Sequence, residues 1–137
     1  MSLVLDASVA LAWYFQDEAT SATDAVLDRV VEAGAVVPGL WRLEFANALQ
    51  VAVRRNRISA TYRDAALADL MQLQIETDSE TDLHAWSATL RLAVRHELTL
   101  YDAAYLELAE RRRLPLATLD RVLRRAAEEL DLPVLGL

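Results

Sequence analysis

The sequence SLVLD at Ser2–Asp6 sets three consecutive apolar residues directly before a carboxylate. A short, unbroken apolar run is typical of a β-strand that is buried on both faces, as strands are in a parallel sheet. Similar runs occur at Ala35–Pro38 (AVVP), Pro115–Thr118 (PLAT) and Pro133–Leu135 (PVL), and segments with helical patterns separate them. Short buried strands that alternate with helices predict an α/β fold. We therefore expect one three-layer domain over residues 1–137, with a mostly parallel central sheet of about five short strands flanked by helices.

The remaining strand and the helices are predicted from the spacing of apolar residues. Met71–Glu76 (MQLQIE) alternates between apolar and polar residues, which is typical of a half-buried edge strand. Apolar residues three and four positions apart predict helices in the intervening segments. In the helix that opens at Ser79 or Thr81, the apolar stripe consists of Leu83, Trp86, Leu90, Ala93 and Val94. The predicted helices span about 23–32, 41–55, 59–70, 79–94, 99–113 and 121–130.

The composition excludes several classes of chemistry. The 137 residues include 14 arginines, no lysine, no cysteine and 21 acidic residues, for a net charge of −7. Without cysteine there is no disulfide scaffold, thiol nucleophile or zinc–thiolate site, and without lysine there is no Schiff base or P-loop lysine. The acidic balance argues against a general electrostatic attraction to nucleic acid, although it says nothing about local patches. The sequence shows neither a secretory signal nor an uncharged apolar run of about 18 residues, so we expect a cytoplasmic protein.

Four carboxylates stand among apolar neighbours, where an ionised side chain is costly unless it is paired, hydrogen-bonded or bound to a metal. They are Asp6, Glu44, Asp102 and Asp120. Each of them also has a purely structural explanation. For the three aspartates this explanation is a cap on a turn or a helix. For Glu44 it is an ion pair with Arg42 or Arg55, or simple exposure to solvent.

The joint placement of the four carboxylates favours a functional explanation. Asp6 and Asp120 follow predicted strands, whereas Glu44 and Asp102 fall in the first turns of predicted helices. In an open parallel sheet these positions lie at the edge where the strands end, and ligands bind at that edge. Four carboxylates that meet there repel one another unless a cation neutralises them. Oxygen ligands without cysteine select a hard ion such as Mg²⁺ or Mn²⁺, whose usual task is phosphoryl chemistry. The residues therefore predict a hard-metal phosphoesterase site.

Four blocks of sequence contain these carboxylates. The blocks are VLDASVALAW at Val4–Trp13, VPGLWRLEFANAL at Val37–Leu49, LTLYDAAYLELA at Leu98–Ala109 and LPLATLD at Leu114–Asp120. In order and spacing they resemble the PIN-domain ribonucleases, in particular the VapC toxins of bacterial type II toxin–antitoxin modules. No block is specific by itself, but the four in succession are, and the likeness extends from about Leu3 to Gly136. The resemblance implies a metal-dependent endoribonuclease that acts as a growth-inhibiting toxin.

The resemblance also implies roles for individual residues. The expected metal ligands and catalytic acids are Asp6, Glu44, Asp102 and Asp120. The ion they bind is expected to be Mg²⁺ or Mn²⁺, and the number of ions, one or two, is left open. Ser8, Asn47 and Thr118 match positions that support these acids. The resemblance further implies a homodimer and a cognate VapB-like antitoxin that inserts near the acidic site. The sequence departs from the family at His96-Glu97 and Arg113-Leu114, where relatives often have a glycine turn.

An RNA substrate also has to be held by basic residues. Two arginine clusters close predicted helices, at residues 54–57 and 111–113, and the helix dipole explains them as well as phosphate binding does. Arg121, next to Asp120, is the first candidate for contact with substrate, and Arg42, two residues before Glu44, is the second.

Other residue types point less directly to function. Most aromatic residues are expected in the core rather than on a surface that stacks with RNA bases. His84 and His96 are expected to be solvated or at an interface. Receiver and haloacid-dehalogenase enzymes also have an aspartate at a strand end, but they normally need a lysine, which this chain lacks. A non-catalytic PIN-like scaffold that binds RNA or a protein partner remains the alternative.

Overall fold

The computed structural model describes residues 2–137. Within that range the strands are β1 (Val4–Leu5), β2 (Ala35–Val37), β3 (Ile75–Thr77), β4 (Leu116–Ala117) and β5 (Val134–Leu135). They form one sheet in the order β3-β2-β1-β4-β5, and every neighbouring pair is parallel. The predicted α/β fold with a sheet of five short strands is therefore confirmed, and β1 is the central strand.

Helices flank the sheet. In chain order they are α1 (Ala7–Ala12), α2 (Ser21–Ala33), α3 (Trp41–Arg54), α4 (Ala60–Leu70), α5 (Thr81–His84), α6 (Ala88–His96), α7 (Leu100–Arg112) and α8 (Arg121–Glu129). Helix α7 packs against β1 and β4, whereas α2 and α8 contact β5. Between Ser2 and Leu137, no helix combines the length and the apolar character needed to cross a membrane.

The core forms around the two central strands. Leu3, Val4 and Leu5 are fully buried in and before β1, as are Leu116 and Ala117 of β4. These strands have neighbours on both sides and helices packed against them, so every side chain they carry is removed from water. Full burial of one such leucine or valine is worth about 1.5–3 kcal/mol. The apolar run SLVL thus becomes the centre of the sheet.

Local signals in the sequence set the ends of several helices. Thr20 and Thr23 form a capping box at the start of α2. At the start of α4, the Ser59 hydroxyl oxygen accepts a hydrogen bond from the Tyr62 N–H, with a distance of 3.0 Å. Helix α2 ends at Gly34, whose φ of 78° and close approach to the Gln74 carbonyl leave no room for a Cβ.

Three elements differ from the predictions. Helix α1 has no periodic pattern in the sequence because most of its residues are buried, so it was not predicted. Strand β3 lies at the edge as predicted but begins at Ile75 rather than Met71, because Met71 N–H bonds back to Leu67 and extends the end of α4. The single helix predicted from Ser79 or Thr81 is two helices, and a non-helical Ser87 separates them. Most of its apolar stripe is exposed, including Trp86 at 92%.

Candidate active site

Asp6 lies directly after β1 and is buried, with 7% of its surface exposed. Its backbone N–H donates to the Ala117 carbonyl oxygen at 3.0 Å, which continues the pairing of β1 with β4 up to the start of α1. Two hydroxyl groups donate to the same carboxylate oxygen, since Ser8 Oγ and Thr118 Oγ1 each lie 2.7 Å from Asp6 Oδ2. These bonds fix the carboxylate at the carboxyl edge of the sheet.

The same two hydroxyl oxygens hold the segment that leads to Asp120. Leu119 N–H donates to Ser8 Oγ at 3.1 Å, and Asp120 N–H donates to Thr118 Oγ1 at 3.0 Å. Asp120 is the N-cap of α8, and its Oδ1 accepts two N–H groups from the first turn of that helix at 2.9 and 3.2 Å. The cap explanation of Asp120 is thus confirmed, and the cap bonds use Oδ1 and not Oδ2.

Glu44 and Asp102 reach this edge from the first turns of α3 and α7, and both are half-buried. Tyr105 donates its hydroxyl to Glu44 Oε1. The partner of Glu44 is therefore a tyrosine and neither of the arginines considered from the sequence. The Asp102 N–H donates to Thr99 Oγ1 at 3.1 Å, so Thr99 caps α7, whereas the Asp102 carboxylate does not complete a capping box.

Electrostatic interactions link all four acids. Burial raises the pKa of Asp6, and the charge of Asp120 adds to this rise, against the hydroxyl bonds that lower it. Burial also raises the pKa of Glu44, with further contributions from Asp6 and Asp102. For Asp102, burial and then the charges of Asp120 and Asp6 raise the pKa. The structure thus brings together the four acids that the sequence singled out.

The donor set fits a hard divalent ion in its chemistry. Carboxylate oxygens are the ligands that Mg²⁺ and Mn²⁺ prefer, and the buried Asp6 carries a charge that is unfavourable without a counter-charge. Among residues 2–137, no three Asp, Glu, His or Cys side chains stand close enough to hold a metal ion in their present positions.

The other predicted site residues take different positions. Ser8 and Thr118 contact Asp6 directly, as described above. Asn47 is exposed on α3, one turn after Glu44. Arg42 and Arg121 are also exposed, and neither forms an ion pair within the described part of the chain.

Several clustered arginines have acidic partners. Arg57 lies 2.9 Å from Asp17 and 3.1 Å from Glu18, and its guanidinium stacks over the Phe15 ring. This arginine therefore ties the segment after α1 to the segment that follows α3. Arg54, Arg55 and Arg113 are exposed at helix ends.

A buried charge network at the end of α7 was not predicted. Arg111 donates to both oxygens of Asp78, at 3.1 and 2.6 Å, and to both oxygens of Glu107, at 2.8 and 3.1 Å. The Asp78 and Glu107 side chains are 1% and 6% exposed. Burial alone would raise the pKa of Asp78, but Arg111 holds it below its usual value. The spacing of Glu107 and Arg111, four positions apart on one helix, was the available signal.

The aromatic residues and histidines are mostly structural. Phe15 and Trp41 are buried, as predicted for most aromatic side chains, whereas Trp86 is almost fully exposed. The expectation of a solvated side chain is wrong for His96, which is 3% exposed and places Nδ1 3.1 Å from Glu129 on α8. His84 is partly exposed beside Glu80.

Tyr105 is the site residue that sequence reasoning missed. Its position in the apolar stripe of α7 predicts core packing, and it is indeed fully buried. The available signal was its spacing from Asp102, because residues three apart lie on the same face of a helix.

A parallel sheet with four acids gathered at its carboxyl edge defines an α/β protein with an acidic site, and comparisons with known proteins agree. The model of the PIN domain family matches residues 3–129. Ribonuclease VapC3 of Pyrobaculum aerophilum is 31% identical over 127 residues, which cover 90% of this chain and 92% of that protein. The chain belongs to the PIN domain family, and the resemblance recognised from the four sequence blocks is confirmed.

Solved structures show the same fold. PAE2754 from Pyrobaculum aerophilum has a TM-score of 0.68 and 26% identity, with 92% of this chain and 84% of that chain covered. FitAcB from Neisseria gonorrhoeae has a TM-score of 0.66 at 17% identity, with 98% and 96% covered. VapBC2 from Rickettsia felis, solved with a DNA fragment from their promoter, has a TM-score of 0.65 at 11% identity, with 98% and 97% covered.

Proposed function

We propose that this protein is a metal-dependent endoribonuclease and the toxin of a VapBC-type toxin–antitoxin module, with Mg²⁺ or Mn²⁺ as its cofactor. The observation that carries the proposal is the gathering of Asp6, Glu44, Asp102 and Asp120 at one edge of the sheet, where burial and mutual charge raise the pKa of the first three. The 31% identical relative is named a ribonuclease, which supports RNA as the substrate. Action on RNA transcripts also fits a cytoplasmic location.

Each acid has a defined part in the proposed reaction. The four carboxylates would hold the divalent ion, and the chemistry it would supply is activation of a water molecule and stabilisation of the leaving oxygen of the phosphodiester. Ser8 and Thr118 keep Asp6 in place, so little of its side-chain entropy remains to be lost. The Oδ1 atom of Asp120 accepts the hydrogen bonds that cap α8, which leaves Oδ2 available to the site. Asn47 lies one turn after Glu44 and is exposed, and its proposed role is to support that carboxylate once an ion is bound.

The proposed contacts with substrate come from arginines that have no acidic partner. Arg121 adjoins Asp120, whereas Arg42, the second candidate, lies half a turn before Glu44 and thus on another face of α3. An exposed guanidinium can bind a phosphate in a bidentate manner. Arg111 is excluded from this role because carboxylates already bind its Nε, Nη1 and Nη2.

The proposed partners are a second copy of the chain and an antitoxin. Seven exposed apolar side chains lie at the starts of α3 and α7 and along the α5–α6 segment, and we call them the apolar face. They are Leu43, Leu83, Trp86, Leu90, Val94, Leu100 and Tyr101. Leu43, Leu100 and Tyr101 line one cleft together with α5, so the face is shared by elements that meet. A face of this kind marks a protein interface, and we assign it to the homodimer. The antitoxin is proposed to cover the neighbouring acidic edge.

Purified protein is expected to cut single-stranded RNA with Mn²⁺ or Mg²⁺, and EDTA is expected to stop the reaction. Asp6→Asn and Asp102→Asn each remove one negative charge from the site and are expected to slow cleavage by about 100-fold or more. Cleavage of a labelled RNA on a denaturing gel measures the rate. Asp28→Asn is the matched control because Asp28 is exposed on α2, away from the site.

The alternative of a non-catalytic scaffold gives a different result. A scaffold binds RNA or a partner protein but leaves the RNA intact with either ion. Undiminished cleavage by both Asp→Asn variants would reject the site assignment. Growth arrest on expression without an antitoxin, relieved by Asp6→Asn, supports the toxin.

A further inference from the structure

The Tyr105 hydroxyl is buried among the segments that carry the acids. Tyr105 lies on α7 one turn after Asp102, and none of its surface is exposed. Its hydroxyl donates to Glu44 Oε1 on α3, which is 61 positions away in the chain. The backbone N–H of Ala7, the residue after Asp6, faces the same phenol oxygen. One side chain therefore joins the segments that carry three of the four acids.

Packing alone does not account for a tyrosine at this position. Its neighbours Leu106, Leu108 and Ala109 are fully buried and apolar. A phenylalanine ring would fill nearly the same space without the polar atom. A buried hydroxyl is unfavourable unless it is hydrogen-bonded, and the bond that satisfies Tyr105 goes to a carboxylate at the acidic edge.

Asp6 and Glu44 are held in the same manner. In each case a hydroxyl group from another element donates to one carboxylate oxygen. Glu44 has a longer side chain and is half-exposed, so without this bond it would sample several rotamers. The bond to Tyr105 selects the orientation in which Glu44 interacts with Asp6 and Asp102.

We propose that Tyr105 is a positioning residue for divalent-ion binding, because its hydroxyl holds Glu44 turned toward Asp6 and Asp102. The inference rests on the proposed metal-dependent function. Its proposed effect on ion binding passes through Glu44, the carboxylate to which its hydroxyl donates. Loss of a group that orients a metal-binding carboxylate typically weakens metal affinity by about 10- to 100-fold.

The test measures Mn²⁺ binding to the full-length protein without RNA, by electron paramagnetic resonance of the free ion. Tyr105→Phe keeps the ring and removes the hydroxyl, and it is expected to raise the Mn²⁺ dissociation constant about tenfold. In a Glu44→Gln background the same change is expected to add nothing, since its effect passes through Glu44. Tyr14→Phe is the matched control, because Tyr14 donates its hydroxyl to the Asp69 carboxylate outside the site.

A second measurement needs no variant. The Tyr105 hydroxyl proton of the metal-free protein is expected to give a slowly exchanging nuclear magnetic resonance signal. The chemical shift of that signal should change as Mg²⁺ is added. The midpoint of this change should coincide with the midpoint of Mg²⁺ binding. A signal that Mg²⁺ leaves unchanged overturns the proposal, even where Tyr105→Phe fails to fold.

The outcomes separate this proposal from the proposed function. If the wild-type protein binds Mn²⁺ and cuts RNA while Tyr105→Phe binds Mn²⁺ equally well, the positioning role is overturned and the ribonuclease stands. If the wild-type protein binds neither Mn²⁺ nor Mg²⁺, the metal-dependent function is overturned, and the role of Tyr105 with it.

Discussion

Asp120 shows that a helix cap and a candidate metal ligand can be the same side chain. Oδ1 accepts two N–H groups of α8, while Oδ2 remains available to the acidic edge. The structural and the functional explanations therefore do not compete at this residue. The α8 N-terminus also carries a partial positive charge, which favours an ionised carboxylate at that position.

Two substitutions separate the roles of Asp120. Asp120→Asn keeps an oxygen that caps α8 and removes the charge, so we expect a lower cleavage rate with little loss of stability. Asp120→Ala removes both and is expected to lose a further 1 kcal/mol or so of unfolding free energy. Urea denaturation and RNA cleavage measure the two effects. Equal stability of the two variants would show that the cap contributes little.

The acids were predictable at the residue scale because ionised side chains are unusual among apolar neighbours. Asp6, with Leu5 before it and Ala7 after it, is the clearest case. The role of Tyr105 was not predictable, because a tyrosine in an apolar stripe is an ordinary core residue. Its partner is 61 positions away, and only the fold, which brings the first turns of α3 and α7 to the same edge of the sheet, places the two in contact. The burial of the His96 side chain was not predictable for the same reason, because it depends on α8, which lies far along the chain.

At the scale of elements, two helices end on residues that disfavour the required backbone. Glu97 and Arg113 follow α6 and α7 with φ angles of 54° and 55°, in the left-handed region. These are the two places where the resemblance to the family implies a glycine turn that the sequence lacks. The turns are formed nevertheless, at a conformational cost of about 1–2 kcal/mol for each non-glycine residue.

Arg113→Gly is expected to stabilise the protein by about 0.5–1 kcal/mol, because glycine adopts this conformation without the clash of a Cβ. Arg113 is exposed, so little else should be lost. Thermal or urea unfolding measures the gain. Ala65→Gly in the exposed middle of α4 is the control and is expected to cost about 1 kcal/mol. A similar loss in both variants would contradict the interpretation of the turn.

The spacing of apolar residues predicted the helices well where a helix has one buried face and one exposed face. It failed for α1, whose buried faces leave no polar stripe to mark a period. It also failed for the segment after Ser79, where apolar spacing predicted one buried helix and the structure has two short helices with exposed apolar residues. Periodicity reports that a face is apolar, but it does not report what covers that face.

At the scale of the whole molecule, the apolar face predicts that the chain forms a homodimer. Trp86 is 92% exposed, so Trp86→Glu should leave the folded monomer intact. In the proposed homodimer the same change buries a charge, so we expect the dissociation constant of the dimer to rise at least about tenfold. Sedimentation equilibrium measures the dissociation constant.

Met71→Glu provides the matched control for the dimer. Met71 is 75% exposed and lies outside the apolar face, so this variant should dimerise like the wild-type protein. A wild-type protein that stays monomeric at tens of micromolar would reject the homodimer. Equal weakening by both substitutions would place the interface elsewhere.

The bond from Thr118 to Asp6 joins residues that lie 112 positions apart. Strand β4, which follows most of the chain, completes both the central pairing and the acidic edge. During synthesis the ribosome conceals the most recently added residues, and domains fold as units once enough of the chain has emerged. The four acids can therefore assemble only after β4 and the segment that leads to Asp120 have left the ribosome. A nascent chain that stops before β4 contains Asp6, Glu44 and Asp102 but lacks the strand that completes the acidic edge.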